Sequence, residues 1–187
     1  YNFPYYSKLI EEFGYKKDVD WVEYNIKVPE YVPEKFVVGA ELIKKRYNLH
    51  SASLKNKKDI LKYADDIFKL INNEYKDIYA FSQLSKKQIM ALKKQFALFL
   101  RPEYISIVLN STNEVVAFGI TMPSLAQAQQ KAKGKLFPFG FIHIMNALKK
   151  NNTVEALLIA VKKDYQNKGV NGIIFTDIMS AYIKNGI

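Results

Sequence analysis

The sequence contains no cysteine, which excludes disulfide frameworks, thiolate metal sites and thiol catalysis together. Its two histidines, His50 and His143, are too far apart for metal-ligand spacing. Arginine is almost as scarce. Apart from Arg46 and Arg101, the basic residues that bring the formal charge to +10 are all lysines. Nucleic-acid sites favour the planar arginine fork, and no binding signature of that class is present, so the charge reads as a solvated lysine surface. No apolar run approaches the roughly 20 residues of a membrane span. Residues 1–6 (YNFPYY) have neither the charged nor the apolar region of a signal peptide. The expectation is a cytoplasmic protein with neither membrane nor nucleic acid as partner.

What is present is a chain of 187 residues, 49% hydrophobic and 14% aromatic, enough for one self-sufficient domain with a fragment of a neighbour. Ser7–Phe13 reads as a short helix closed by Gly14, and Trp21–Val28 alternates as a strand does. Pro29 and Pro33 mark a turn, and residues 31–53 read as a connector. Asn56 and Asp59 cap a helix whose face carries Ile60, Ala64, Ile67, Phe68, Ile71 and Tyr75. Ser85 and Gln88 cap a second, with Ile89, Leu92, Phe96, Phe99 and Leu100, stopped by Pro102.

The period then shifts to two. Tyr104–Leu109 and Val115–Met122 flank the turn formers Asn110 to Asn113, a β-hairpin. Ser124 and Gln127 offer a third capping box, for a helix to about Ala132, and Gly134 stops it. A helix over Phe141–Lys150 follows, with Ile142, Met145 and Leu148 expected to face inward. Val154–Val161 (VEALLIAV) reads as a buried strand, and Val170, Ile173, Ile174, Ile178 and Ala181 mark a last helix. The fold class is α/β (α+β), a mostly antiparallel central sheet with flanking helices.

Chemistry is expected where the last strand meets the last helix. Backbone N–H groups at a helix N-terminus lack intrahelical partners and carry the positive end of the dipole, so they suit a phosphate or pyrophosphate. Gly169 and Gly172 allow close backbone approach, and Lys162, Lys163 and Lys168 add attraction. The loop is neither a P-loop nor a Gly-x-Gly-x-x-Gly turn.

Leu157–Phe175 (LLIAVKKDYQNKGVNGIIF) resembles the acyl-CoA binding motif of the GNAT superfamily of N-acyltransferases, Gln/Arg-x-x-Gly-x-Gly/Ala after a strand. Gln166, Gly169 and Asn171 fall on the motif positions, Asn171 replacing the usual small residue. The order of elements from Asn56 onward is also similar. The resemblance implies acetyl-CoA or another acyl-CoA as cosubstrate, with backbone groups of Ile159 and Val161 on the pantetheine arm. Gln166, Asn167, Lys168, Gly169, Val170 and Asn171 would wrap the pyrophosphate. It implies transfer, most simply of acetyl, to a small-molecule amine or an amino terminus by direct attack on the thioester. It further reads residues 1–35 as the tail of a preceding GNAT-like domain or a linker and residues 36–187 as a GNAT-like domain. The strand and helix that close such a domain would then fall after Ile187, and the partner would be a second such domain in a tandem bacterial protein.

Acyl transfer to an amine needs a base. Glu155, at the start of the motif strand, is the candidate catalytic residue, acting directly or through water, with His143 as the alternative. Tyr104, Tyr165 and Tyr182 are candidate donors to the leaving thiolate. Phe137, Phe139 and Phe141 either line an acyl pocket or pack their segment onto the sheet. No Gly-x-Ser-x-Gly elbow supports serine catalysis. The competing reading is a non-catalytic GNAT-like scaffold or partner-binding module, and a third is a peripheral membrane or nucleic-acid binder driven by charge.

Overall fold

The computed structural model describes residues 3–97 and 99–187. Among them four strands form one antiparallel sheet in the order β1-β2-β3-β4. These are β1 (His50–Ser51), β2 (Ile105–Leu109), β3 (Val115–Pro123) and β4 (Val154–Val161). The expected hairpin is β2 and β3. Asn110 builds its turn, its side-chain oxygen accepting from the N–H groups of Thr112 and Glu114 at 3.0 and 2.9 Å.

Helices cover both faces. On one side α2 (Glu34–Tyr47) and α8 (Val170–Lys184) pack against Val108, Val116 and Ala117 through Ala40, Val170, Ile173, Ile174 and Ile178. On the other, α3 (Lys57–Lys62) and α4 (Ala64–Glu74) set Ile60, Ile67, Leu70 and Ile71 against Ile105, Ile107 and Phe118. β2 is buried on both faces, which is why it reads as a continuous apolar run. Each large side chain so buried contributes roughly 1.5–3 kcal/mol.

Gly119 lets α8 settle on the sheet, since a Cβ there would lie 2.4 Å from Ile174 Cγ2. Buried polar groups link the same layers. Ser106 donates to Asp177 of α8 at 2.7 Å. Tyr182 donates to Thr121 at 2.7 Å, and Thr121 donates to the carbonyl of Tyr104 at 2.9 Å.

Several expectations are corrected. Trp21–Val28 is not a strand: the segment has no regular secondary structure and pairs with nothing in the sheet, and Trp21 and Ile26 are 71% and 81% exposed. The connector over residues 31–53 is mostly helix α2, followed by β1. The single helix expected after Asn56 breaks at Tyr63, whose N–H bonds the Ile60 carbonyl in a tighter turn at 3.0 Å. Its capping box with Asp59 is present, as is that of Ser85 and Gln88 on α5 (Lys86–Phe96). The box of Ser124 and Gln127 is not: Leu125 takes the cap position, and the Ser124 hydroxyl accepts from the N–H of Ala126 at 3.3 Å while donating to Glu155.

Beyond α6 (Ala126–Lys131), α7 (Gly140–Lys149) leaves Ile142 and Met145 exposed, against the expected inward face. Phe137 and Phe139 are 74% and 68% exposed and do not pack their segment onto the sheet. α1 (Tyr5–Glu12) and residues 13–27 are exposed throughout. The expected tail over 1–35 has its first two residues outside the described ones, and α2 begins at Glu34.

Candidate functional site

β4 is the edge of the sheet, so the expectation of a buried strand is corrected: Leu157 and Ile159 are 37% and 41% exposed, and Ala160 is its one fully buried residue. Its register against β3 slips between Ile120 and Thr121. Ile120 faces Leu158 while Thr121 faces Ala156, which makes Leu157 the extra residue of a β-bulge. A bulged residue stands outside the ladder, with its backbone groups available.

From Val161 the chain passes through a short 3-10 turn, Lys163–Tyr165, into the loop that starts α8. Two residues of this loop are left-handed, Asn167 with φ 58° and Gly169 with φ 76°. Asparagine and glycine are the residues that reach that region most easily. Gly169 precedes the first turn of α8 without a side-chain cap, so the N–H groups of Val170 and Asn171 have no intrahelical partner. A Cβ at Gly172 would meet nothing within 4 Å, so this glycine is not required by packing inside the chain.

The loop is braced from within. Gln166 folds back so that its amide donates to the carbonyl of Val161 at 2.8 Å and to Glu74 at 3.4 Å. Lys168 lies over the rings of Tyr47 and Tyr165, 5.1 and 5.7 Å from their centroids, which keeps a cation beside the helix start. Lys162 is half-buried and Lys163 exposed on the same turn.

Ile159 also has an intramolecular partner. The Tyr75 hydroxyl donates to its carbonyl at 2.7 Å and accepts from its N–H at 3.3 Å, filling one pair of positions on the outer edge of β4. Burial pushes the Tyr75 phenol above its ordinary value, against a smaller opposing effect of the Ile159 bond. Both strand residues expected to meet a pantetheine arm thus spend backbone groups on Tyr75 and Gln166.

Glu155 lies at the opposite end of β4, six residues before Val161, roughly 20 Å at the rise of a strand. It is exposed, and Ser124 donates to its carboxylate at 2.5 Å. Asn151 fixes that corner by donating to the Ser124 carbonyl at 2.5 Å. The carboxylate is therefore oriented two residues from the bulge, while the anion-suited loop sits at the far end of the strand.

The remaining candidates do not converge there. His143 is half-buried on α7 and His50 is exposed on β1. Tyr104 is 4% exposed and its ring meets that of Tyr182 at 5.7 Å; burial pushes both phenols up. Among the described residues no cluster of His, Asp and Glu could hold a metal ion, and no helix is long and apolar enough to cross a membrane.

Two features escaped the sequence. Tyr75 was legible as one more member of an apolar helix face, with nothing to mark its hydroxyl as the group that meets β4. The second is a partly enclosed cavity of about 490 Å³ between the sheet, α4 and α5.

No protein-family model matches this chain, and no curated protein matches it. The functional reading therefore rests on the residues and their geometry.

Proposed function

We propose that the protein is an acyl-CoA-dependent N-acyltransferase whose donor lies along the outer edge of β4 with its phosphates at the start of α8. The observation that carries this reading is the junction itself. A bulged edge strand with outward backbone groups leads, through a loop that carries Lys162, Lys163 and Lys168 and two left-handed residues, to an uncapped helix N-terminus.

Lys162, Lys163 and Lys168 supply positive charge, and the free N–H groups of the first turn bind phosphate oxygens. The thioester would lie near Leu157. There the acceptor nitrogen attacks the carbonyl, the C–N bond forms, the C–S bond breaks, and the thiolate takes a proton. Glu155, held by Ser124, accepts the proton released by the amine, directly or through water.

A second reading is favoured by the bonds of Tyr75 and Gln166, which close the same backbone groups. In it the protein is a GNAT-like module that binds a partner and transfers nothing.

Calorimetric titration of CoA and acetyl-CoA tests the first reading, with Asn171→Asp as the variant. A carboxylate in the first turn suits the helix dipole but repels phosphate, so the variant keeps the fold and is expected to weaken CoA binding by tenfold or more. Absence of CoA binding, or binding unchanged in the variant, overturns it. Binding without amide formation across a panel of primary amines leaves the module reading in its place.

A further inference from the structure

The cavity beside β4 has a chemical character of its own. Its walls are Ile67 and Ile71 of α4, Leu92 and Phe96 of α5, and Ile120 and Leu158 of the sheet. Among the described lining residues only Tyr75 and Lys93 carry a polar group on the side chain. Both are engaged elsewhere, the Tyr75 hydroxyl with Ile159 and the Lys93 ammonium with the exposed carboxylate of Asp65. A sugar, a nucleobase or a peptide placed here would leave its donors and acceptors without partners. Water that enters finds no free hydrogen-bond partners on these walls, so its displacement by an apolar group is favourable.

The size is as telling as the lining. Interiors are close-packed, and voids much larger than a water molecule are few. An engineered cavity of about 150 Å³ lined by Leu, Ile and Phe takes up benzene, six carbons. At about 490 Å³ this cavity has roughly three times that volume and has room for on the order of twenty carbons at the same density. The volume falls within the range of small-ligand pockets. It also explains why α5 shows an apolar face in sequence yet buries none of its residues fully: the face looks into the cavity.

The cavity borders the place where the proposed donor would react. The bulged Leu157 and its neighbour Leu158 line it, and Tyr75 stands between it and the edge of β4 at Ile159. Leu157 is four residues from the loop that leads to α8, roughly 13 Å along the strand.

We propose that this cavity is the binding site for a linear acyl chain of about ten or more carbons, so that the donor is a medium- or long-chain acyl thioester rather than acetyl-CoA. The link to the thioester rests on the acyltransferase reading; the affinity of the cavity for an aliphatic chain does not. The bulge holds the carbonyl at the surface of β4, and the chain runs from there past Tyr75 between α4 and α5.

The test titrates the intact chain with CoA, with acetyl-, octanoyl-, dodecanoyl- and hexadecanoyl-CoA, and with free dodecanoate. Leu92→Trp fills the cavity from α5, and Met122→Trp fills it from the sheet should the first variant fail to fold. Affinity is expected to rise about fourfold for each added methylene, as burial of a CH₂ predicts, until the cavity is full. The tryptophan variant is expected to move that plateau to shorter chains while binding of free CoA is unchanged. Dodecanoate binding with no affinity for any CoA species would sustain the acyl site and remove the acyltransferase reading. Equal affinity for CoA and every acyl-CoA, with no dodecanoate binding, would overturn the acyl site and leave the CoA reading standing.

Discussion

A single hydroxyl, that of Tyr75 on the chain just after α4, serves both backbone groups of Ile159 in β4, across 84 residues of sequence. It ties the helical layer to the edge strand at the point where a bound pantetheine would compete for the same groups.

Removing that hydroxyl separates two effects. Tyr75→Phe is expected to lower stability by about 1 kcal/mol, the usual net worth of a hydrogen bond. If the donor uses the same groups, the variant is also expected to bind acyl-CoA several-fold more tightly, because nothing has to be displaced. Urea denaturation and calorimetry read the two separately, and weaker acyl-CoA binding would show that the phenol assists the ligand instead.

The two glycines around the start of α8 are expected to respond with opposite signs. Gly169 has φ 76°, and a Cβ there would also press on Ile43 Cδ1 at 2.7 Å. Gly169→Ala is expected to cost about 1–2 kcal/mol, mostly in backbone conformation. Gly172 lies in the first turn with open space around it. Gly172→Ala is expected to stabilise by up to about 1 kcal/mol. Equal shifts of the two denaturation midpoints would contradict the loop geometry.

At Gly119 the obstacle is packing. Ile174 Cγ2 sits at a branch point and cannot swing aside as a flexible chain end would, so Gly119→Ala must push α8 off β3. A loss of about 1–3 kcal/mol is expected. Circular dichroism should show the helices retained while the urea midpoint falls.

Alkaline pH should destabilise the fold earlier than exposed tyrosines alone would require. Burial raises the phenols of Tyr75, Tyr104 and Tyr182 above 10.0. In the unfolded chain they ionise near 10, so their contribution is complete below that pH and is lost as the pH climbs through their raised folded values. Urea unfolding between about pH 9 and pH 11 should show a falling midpoint, less steep in Tyr182→Phe. A midpoint independent of pH over that range would show that these phenols are as accessible as the rest.

Much of the local structure could be read because its causes are local. Asn56 with Asp59 and Ser85 with Gln88 form their caps within four residues, and the Asn110 turn closes its hairpin without outside help. Trp21–Val28 fails for the opposite reason: alternation shows that a segment suits a sheet, but only a partner strand makes it one. Ser124 does stand by the start of α6, where its oxygen accepts from Ala126, but its second bond, to Glu155 from 31 residues away, has no local signal. At the site, the glycine loop ahead of the last helix was legible in Gly169, whereas the left-handed turn at Asn167 had no signal that marked it. The cavity was not, because sequence periodicity marks an apolar face on α5 without saying whether side chains or empty space lie opposite.

The two margins of the sheet are unequal. β1 offers only two residues, whereas β4 presents eight, with one pair of positions taken by Tyr75. Growth of the sheet by strand addition is therefore one-sided. Any polypeptide that extends it must lie along β4, over the ground assigned to the acyl donor, so that assembly through this edge and occupation by a ligand become mutually exclusive states of one surface.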